Sequence, residues 1–553
     1  MLTATISDRR QTSVQLTWPV MAVSGAAPTG YDIRVARVPI TATNFDDTAA
    51  TITETFTGTP AAVGQADGLL VKNLNIEQDY YFAVAGKTAT TRGTIMATTT
   101  ATHASFLTVS LTGTGTDGLG YDVDGSGDFG RASDLSFTAD GLSDLIVGAI
   151  NGTHVLVFFG RSGGYATTPS ITITGPTGFG QAVANAGDVD GDGLNDIAIA
   201  SGQEGGGKIY IFSRKSPPAS WGTTGAWPAT LTSAQANYVI TIDQTFAGGS
   251  NTILAGGMSR LGNFDGMGSD DLAIGLSSHG ATMLGSVLII KGSSTFASGT
   301  VPDATRAIEI DGTIAGDFFG SQVAGIGPFF TGAGPGLVTS GLTATYAFKG
   351  QSPTGTLTAA SADDSLIASA AISYGFNLGF LGAVGGSAGA ISIPAVTGTP
   401  SFVDLHLGTA ATGPLLGPAG GAPAPSVKFT DSTVGNSFGI VNLGGGLRGT
   451  SQVVSIIGGD TVPDLVLAGQ AEVGVPVYVI NGAALSTFSA TVDVAAAQTA
   501  VVTPIVKVSG VVPTPWAGYA GMSVIPDSNM DGYGDFALGE FAAGKAGRVV
   551  VFY

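Results

Sequence analysis

Residues 188–196 carry four aspartates at alternating positions of one short, glycine-rich segment. They are Asp188, Asp190, Asp192 and Asp196. Four carboxylates this close in sequence repel one another strongly unless a cation lies among them. Oxygen ligands at alternate positions suit a hard ion that takes about six to eight oxygens, which is calcium. The sequence therefore predicts a calcium site in this segment, named turn A.

The same spacing recurs near the end of the chain, in residues 527–535, named turn B. Its polar side chains are Asp527, Asn529, Asp531 and Asp535. The carbonyl oxygen of an asparagine side chain is an ordinary calcium ligand. We therefore expect turn B to bind calcium as turn A does.

A less complete version of the pattern, turn C, covers residues 263–271. Its oxygen-bearing side chains are Asn263, Asp265, Ser269 and Asp271. Met267 stands where turn A has Asp192, so one oxygen ligand is missing. We expect a weaker site there, or one that water completes.

The runs around turn A are short and apolar, which is typical of β-strands. The unit begins at Phe179 and Gly180, passes through turn A into residues 197–200, and continues through 209–212 and 239–242. These runs predict four strands, the first two of which are joined by the acidic turn.

This unit recurs along the chain, which predicts a repeat architecture. Seven units follow one another at a spacing of roughly sixty residues, and four-stranded sheets repeated in this way can be arranged radially. The other six begin near Phe129, Leu254, Phe319, Tyr374, Phe438 and Gly518. The last unit ends after its third strand, at 549–552, and residues 106–111 are the candidate for its missing fourth. The prediction is a seven-bladed β-propeller of four-stranded blades with a shared last blade.

One further acidic segment, with Asp122, Asp124 and Asp128, starts like turn A but lies just before Phe129, outside the place that turn A occupies in its repeat. A metal site and a solvated turn are both open for it. Two shorter acidic pairs are interpreted as ordinary turns. They are Asp140 with Asp144, and Asp460 with Asp464.

The repeat resembles the FG-GAP repeat of the seven-bladed integrin α-subunit propeller, which bacterial surface and secreted proteins also carry. The copy over 179–212 carries the resemblance most clearly, and the fourth and fifth copies carry it weakly. The resemblance implies a calcium site in turn A formed by the side chains of its four aspartates and the backbone carbonyl of Leu194. By the same spacing, Tyr533 offers its backbone carbonyl in turn B.

The first hundred residues show a different pattern. Alternating apolar residues at 14–18, 31–35 and 80–84 predict short strands with one buried face. Trp18 on an early strand, with Leu74 six residues before Tyr80, resembles a fibronectin type III domain. We therefore expect an all-β protein, with a fibronectin type III-like β-sandwich over 1–103 followed by the propeller over 104–553.

Charged residues make up only 11% of the 553, and the net charge is −19. Proteins that bind the phosphate backbone depend on Lys and Arg, so we expect no nucleic-acid partner. The stretch 365–403 has no charged residue, but glycines and a proline interrupt it, so we interpret it as buried strands and expect no membrane span. Residues 1–10 contain no apolar core followed by a small-residue cleavage site, so we expect either a mature or recombinant form or a protein that uses no N-terminal signal. The sequence contains no cysteine.

No phosphate loop and no His-Glu-x-x-His pattern occurs, and we expect no enzyme activity. Calcium sites suit a compartment where free calcium is near millimolar, outside the cytoplasm. The sequence thus indicates an extracellular or cell-surface protein, bacterial in origin, that recognises a protein or glycan ligand in adhesion. Two alternatives stay open: a carbohydrate-active enzyme, either polysaccharide lyase or hydrolase, and a structural subunit of a surface fibre. The sequence does not predict the oligomeric state.

Overall fold

The computed structural model is all-β, as the sequence predicts. Strands take up 52% of it and helices 4%. Helices in the described part of the chain are short 3-10 turns, and none has the length and apolar character needed to cross a membrane. The structure describes residues 1–6, 13–72, 74, 78–104, 106–113, 119–127, 140–150, 152–202, 204, 206–214, 227–243, 257–280, 282–327, 334–350, 357–367, 373–374, 379–382, 390–396, 402–407, 427–432, 441–444, 454–457, 460–468, 477–488, 491–499, 505–508, 518–541 and 546–553.

The chain divides into two compact units. The first comprises Met1–Leu107, Ile457–Gly459 and Ala496–Gly510, and the second comprises Thr108–Ile456, Asp460–Ala495 and Val511–Tyr553. The boundary expected between residues 103 and 104 stays a prediction.

The first unit contains two sheets. One has the strand order Thr3–Ile6, Val14–Pro19, Ala66–Val71. The other has the order Thr51–Glu54, Gly30–Ala36, Gln78–Lys87, Arg92–Ala97, and Thr102–Ala104 also pairs with Gln78–Lys87. The strand Ile505–Val508 and the 3-10 helix Ala496–Thr499 belong to the same unit.

Both sheets of the first unit contribute to one aromatic core. Trp18 is 1% exposed, and its ring lies 5.1 Å from that of Tyr31, edge to face. Leu74 and Tyr80 are buried in the same cluster. The alternation read in the sequence therefore corresponds to one buried face on each sheet.

Seven sheets follow one another in the described part of the second unit. Sheet 1 contains Leu119–Gly127, Asp144–Ala149, His154–Phe158 and Ile171–Thr174. Sheet 2 contains Phe179–Gly187, Asp196–Ser201, Lys208–Phe212 and Tyr238–Ile242. Sheet 3 contains Met258–Gly262, Asp271–Leu276, Ser286–Ile290 and Ala307–Asp311. Sheet 4 contains Gln322–Gly325, Gly334–Ser340, Ala344–Gly350 and Asp364–Ile367.

The remaining three sheets are built in the same way. Sheet 5 contains Ser373–Tyr374, Gly379–Gly382, Ala390–Val396, Phe402–Leu407 and Val427–Thr430. Sheet 6 includes Val441–Gly444, Leu465–Ala468 and Val477–Ile480. Sheet 7 contains Gly518–Ile525, Asp535–Phe541, Arg548–Phe552 and Thr108–Thr112. Short 3-10 helices occur at Ser233–Gln235, Ala359–Ser361 and Gly482–Thr487. Of the residues expected to start repeats, Phe129, Leu254 and Phe438 lie outside the described residues.

Each central strand of sheet 2 is buried on both faces. Ile197 and Ile199 pack into a cluster shared with sheet 1, whereas Ala198 and Ala200 pack into a cluster shared with sheet 3. Alternate residues of the strand therefore pack against the two neighbouring sheets, one on each face. This explains why these strands are continuously apolar rather than alternating in sequence.

Short parallel strands, which the sequence did not predict, extend several sheets. Thr230–Thr232 adds to sheet 1, Gly299–Val301 to sheet 2, Leu357–Thr358 to sheet 3 and Thr491–Asp493 to sheet 5. Each of these short strands follows the third strand of the next sheet along the chain. An added strand pairs the backbone groups of an otherwise open edge.

The two ends of the second unit share sheet 7. Thr108–Thr112 pairs antiparallel with Arg548–Phe552, with Leu111 opposite Val549. The predicted pairing between residues 106–111 and the last strand is therefore confirmed. Leu111 is 1% exposed and packs in a cluster with residues of sheets 1 and 7.

We predict that this shared sheet carries a large part of the stability of the second unit. Leu111→Ala should lower the free energy of unfolding by about 2–5 kcal/mol, because it removes a fully buried side chain. The matched control Ser110→Ala changes an exposed side chain on the same strand and should have an effect within about 0.5 kcal/mol. Denaturant unfolding of the whole chain measures both, and equal small effects would contradict the role of this strand.

Candidate metal centre

Turn A joins the first two strands of sheet 2, and the strand register fixes its ends. Gly187 lies opposite Asp196, where the hairpin leaves the sheet. Gly191 has a φ of +73°, and a Cβ there would lie 3.0 Å from Ser269 Oγ. Glycine is therefore required at this position by conformation and by close approach to a neighbouring turn.

Two carboxylates of turn A hold its backbone in a wrapped conformation. Asp188 accepts hydrogen bonds from the N–H groups of Asp192, at 2.8 Å, and Gly193, at 2.9 Å. Asp192 Oδ1 accepts one from the N–H of Leu194 at 2.8 Å. The spacing of these side chains thus determines the shape of the turn.

The other two carboxylates of turn A are completely buried. Asp190 Oδ2 accepts hydrogen bonds from Ser213 Oγ at 2.7 Å and Tyr238 Oη at 3.1 Å. Asp196 Oδ2 accepts one from the N–H of Val189 at 3.0 Å. Asp196 Oδ1 is buried and accepts no hydrogen bond from any residue that the structure describes.

Negative charge accumulates inside turn A. One carboxylate oxygen from each of Asp188, Asp190 and Asp196 lies within 4.8 Å of the others. Burial, together with the nearby charges of Asp190 and Asp192, raises the pKa of Asp196 well above its usual range. A divalent cation among these oxygens would offset both the burial and the repulsion. The donor set consists of oxygens alone, which fits calcium.

Turn B repeats the backbone pattern of turn A in sheet 7. Asp527 accepts hydrogen bonds from the N–H groups of Met530, at 2.7 Å, and Gly532, at 2.8 Å. Asp531 Oδ1 accepts one from the N–H of Tyr533 at 2.9 Å. Asp535 is buried, as Asp196 is in turn A. Asn529 is buried too and accepts a hydrogen bond from the N–H of Asp531 at 2.9 Å.

Turn C differs from turn A in its last aspartate. Asp271 Oδ2 accepts a hydrogen bond from the N–H of Asp265 at 2.9 Å, and Oδ1 accepts one from Gly292 at 2.8 Å. Burial raises the pKa of Asp271 to about 7. Asn263 Oδ1 is buried without a hydrogen-bond donor among the described residues, whereas Met267 is 71% exposed. Ser269 is buried. Turn C therefore has fewer oxygens available to an ion than turn A.

Asp144 and Asp464 belong to the two acidic pairs that the sequence predicts to be ordinary turns. Each accepts a hydrogen bond from a glycine N–H, as Asp271 does. Asp144 Oδ1 accepts a hydrogen bond from the N–H of Gly160 at 2.9 Å, and Asp464 Oδ1 accepts one from Gly482 at 2.7 Å. In sheet 2 the equivalent of these glycines is Arg214, and the residue before it, Ser213, donates its hydroxyl to Asp190. Asp196 Oδ1 accepts no such backbone hydrogen bond from the described residues.

Asp122 and Asp124 lie on the first strand of sheet 1 rather than in a turn. Asp122 Oδ2 accepts a hydrogen bond from the N–H of Val183, and Asp124 Oδ2 accepts one from Asn185, both at 2.9 Å. These carboxylates therefore connect sheet 1 to sheet 2. Asp128 lies outside the described residues.

Turns A and C are connected directly. Asp270 Oδ2 accepts a hydrogen bond from the N–H of Asp188 at 3.0 Å, and the N–H of Asp270 donates to the Asp188 carbonyl at 2.9 Å. Arg260 forms an ion pair with Asp270 at 2.6 Å and donates to Asn195 at 3.3 Å. The sequence does not predict this bridge, because its members belong to different repeats.

Comparison with known proteins supports an integrin-like repeat. The FG-GAP repeat model matches residues 179–212. The chain is 31% identical to integrin alpha-4 of Xenopus laevis over 156 residues, which are 26% of this chain and 14% of that protein. It is 37% identical to integrin alpha-3 of Cricetulus griseus over 100 residues, 16% of this chain and 10% of that protein. The similarity thus spans a small part of each relative.

We predict that substitution in turn A removes stability that depends on calcium. At a calcium concentration of about 100 times Kd, one site adds roughly 2.7 kcal/mol to the stability of the folded chain. Asp196→Asn should therefore shrink the difference between melting temperatures in calcium and in chelator. Differential scanning calorimetry measures that difference.

Asp464→Asn is the matched control for this substitution. It changes an aspartate at the equivalent place in sheet 6, where both oxygens already accept backbone hydrogen bonds. It should lower the melting temperature equally in calcium and in chelator. An equal calcium-dependent difference in wild type and Asp196→Asn would contradict a calcium site in turn A.

Proposed function

We propose that the second unit is a calcium-stabilised seven-bladed β-propeller of FG-GAP repeats in an extracellular or cell-surface protein that recognises a protein or glycan partner. The observation that carries the proposal is the buried carboxylate group of turn A, in which Asp196 Oδ1 has no donor among the described residues. The FG-GAP match covers this turn and the strands on either side of it.

The order and contacts of the sheets support a closed ring. Along the described chain, the first strand of sheet 1 contacts that of sheet 2, sheet 2 contacts sheet 3, and sheet 3 contacts sheet 4. Gly379–Gly382 of sheet 5 contacts the first strand of sheet 6, and that strand contacts the first strand of sheet 7. The first strand of sheet 7 in turn contacts that of sheet 1. A radial arrangement with a shared last sheet accounts for these contacts and leaves few open edges.

Turns A and B are the proposed calcium sites. In turn A the four aspartate side chains and the carbonyl of Leu194 would hold the ion. In turn B the ligands would be Asp527, Asn529, Asp531, the carbonyl of Tyr533, and Asp535. Turn C would bind calcium more weakly, because both oxygens of Asp271 already accept backbone hydrogen bonds. Asp122 and Asp124 are left out of the proposal, because their oxygens join two sheets.

Calcium in these turns would be structural. Each turn connects the first and second strands of its sheet, so all of these turns lie at the same end of the strands in successive sheets. The connections between the second and third strands lie at the opposite end of the strands, and we propose that the partner binds at that end. The first unit, with its two sheets around Trp18, would act as a fibronectin type III-like spacer.

We predict that a partner slows hydrogen exchange in the connections at one end of the strands. The whole chain is first screened, in calcium, on arrays of glycans and extracellular matrix proteins. Exchange of the complex should then be slowed in the connections between second and third strands, such as residues 202–207 and 277–285, and unchanged in turns A and B. Protection centred on turns A and B would contradict a structural role for calcium. Release of shortened glycans from the array would contradict a binding role and favour the carbohydrate-active enzyme.

A further inference from the structure

Three side chains of metal-ligating type meet at one end of sheet 3, away from the acidic turns. They are His279, Glu309 and Asp311, and one ligand atom of each lies within 4.8 Å of the others. Each side chain is half-buried, so the group is accessible to an ion from solvent.

Strand register creates this group from residues that are distant in sequence. Ser286 pairs with Asp311 and Leu288 pairs with Glu309, so the two carboxylates stand on one face of the last strand, two residues apart. His279 lies in the connection between the second and third strands. Its N–H donates to the Leu276 carbonyl at 3.0 Å, which fixes the start of that connection.

The same connection is tied to the strand that carries the carboxylates. The N–H of Gly285 donates to the carbonyl of His279 at 3.1 Å, and the N–H of Gly312 donates to the carbonyl of Gly285 at 2.9 Å. His279 and Asp311 are therefore held by one short run of backbone hydrogen bonds. The three side chains are positioned by rigid elements rather than by a free loop.

Within the described part of the chain, no lysine or arginine balances the two carboxylates of this group. Among the residues that the structure describes, no Lys or Arg forms an ion pair with Glu309 or Asp311. Asp311 Oδ1 is buried and accepts no hydrogen bond from the described residues. Two adjacent carboxylates without a cationic partner, next to an imidazole, form a donor set for a divalent ion.

We propose that His279, Glu309 and Asp311 bind one zinc ion. One imidazole nitrogen and two carboxylate oxygens are ligands that zinc uses, and three protein ligands leave a fourth position for water. The imidazole distinguishes this donor set from the all-oxygen turns, because nitrogen ligands favour transition metals over calcium. Turn C lies at the other end of the same sheet, so the zinc site is separate from the calcium sites. The proposal stands whether or not the partner-binding function does.

Isothermal titration of zinc into the whole, tag-free chain tests the proposal. Calcium is kept in large excess, so that the acidic turns are occupied and do not contribute. Wild type should bind one equivalent of zinc. His279→Gln and Asp311→Asn should each weaken zinc binding at least tenfold, because each removes one of three ligands.

His154→Gln is the matched control, since His154 begins the third strand of sheet 1 and lies outside the group. It should leave zinc affinity unchanged. Absorption spectra with cobalt in place of zinc give a second readout, because loss of His279 should shift the visible bands and loss of His154 should not. Circular dichroism in calcium confirms that each variant is folded, and Glu309→Gln replaces any variant that is not.

Two results would overturn the proposal. One is zinc affinity that stays the same in His279→Gln and in Asp311→Asn. The other is the absence of zinc binding to the folded wild-type chain in excess calcium.

Discussion

The burial of several carboxylates in one turn is the constraint on which the account of the second unit depends. Asp190 and Asp196 are both fully buried, and an oxygen of each lies within 4.8 Å of one from Asp188. Leaving a buried charge uncompensated costs about 3–5 kcal/mol. A cation among these oxygens, as proposed for turn A, would offset that charge. The hairpin that holds these aspartates also connects the first two strands of sheet 2, so ion binding there would be linked to sheet formation.

The effect extends beyond one sheet, because the acidic turns are hydrogen-bonded to their neighbours. The carbonyl of Val189 in turn A accepts a hydrogen bond from the N–H of Ser293 in the following sheet, at 2.8 Å. In turn B, the carbonyl of Ser528 accepts one from the backbone N–H of Arg161, which follows the third strand of sheet 1, at 3.0 Å. An ion bound in turn A or turn B would therefore also stabilise the contact between two sheets. Pairing of Thr108–Thr112 with the last strand adds a hydrogen-bonded link between the two ends of the same unit.

Local sequence patterns predict many of the strands of the second unit. Continuous apolar runs gave the central strands, and the missing fourth strand of the last repeat pointed to residues 106–111. Contacts between repeats were not predictable. Asp122 accepts a hydrogen bond from the N–H of Val183, which is 61 residues away. The sequence around Asp122 indicates only an acidic segment. The short strand Thr230–Thr232 is too brief for its pattern to stand out from a loop. His279 lies next to Glu309 and Asp311 only because of the strand register.

The most direct test of the central claim is a crystal structure of the calcium-loaded chain with anomalous scattering measured at long wavelength. The account predicts an anomalous peak inside turn A, surrounded by oxygens of Asp188, Asp190, Asp192 and Asp196 and by the carbonyl of Leu194, with a second peak in turn B. A well-ordered turn A without an ion, in crystals grown in millimolar calcium, would contradict it.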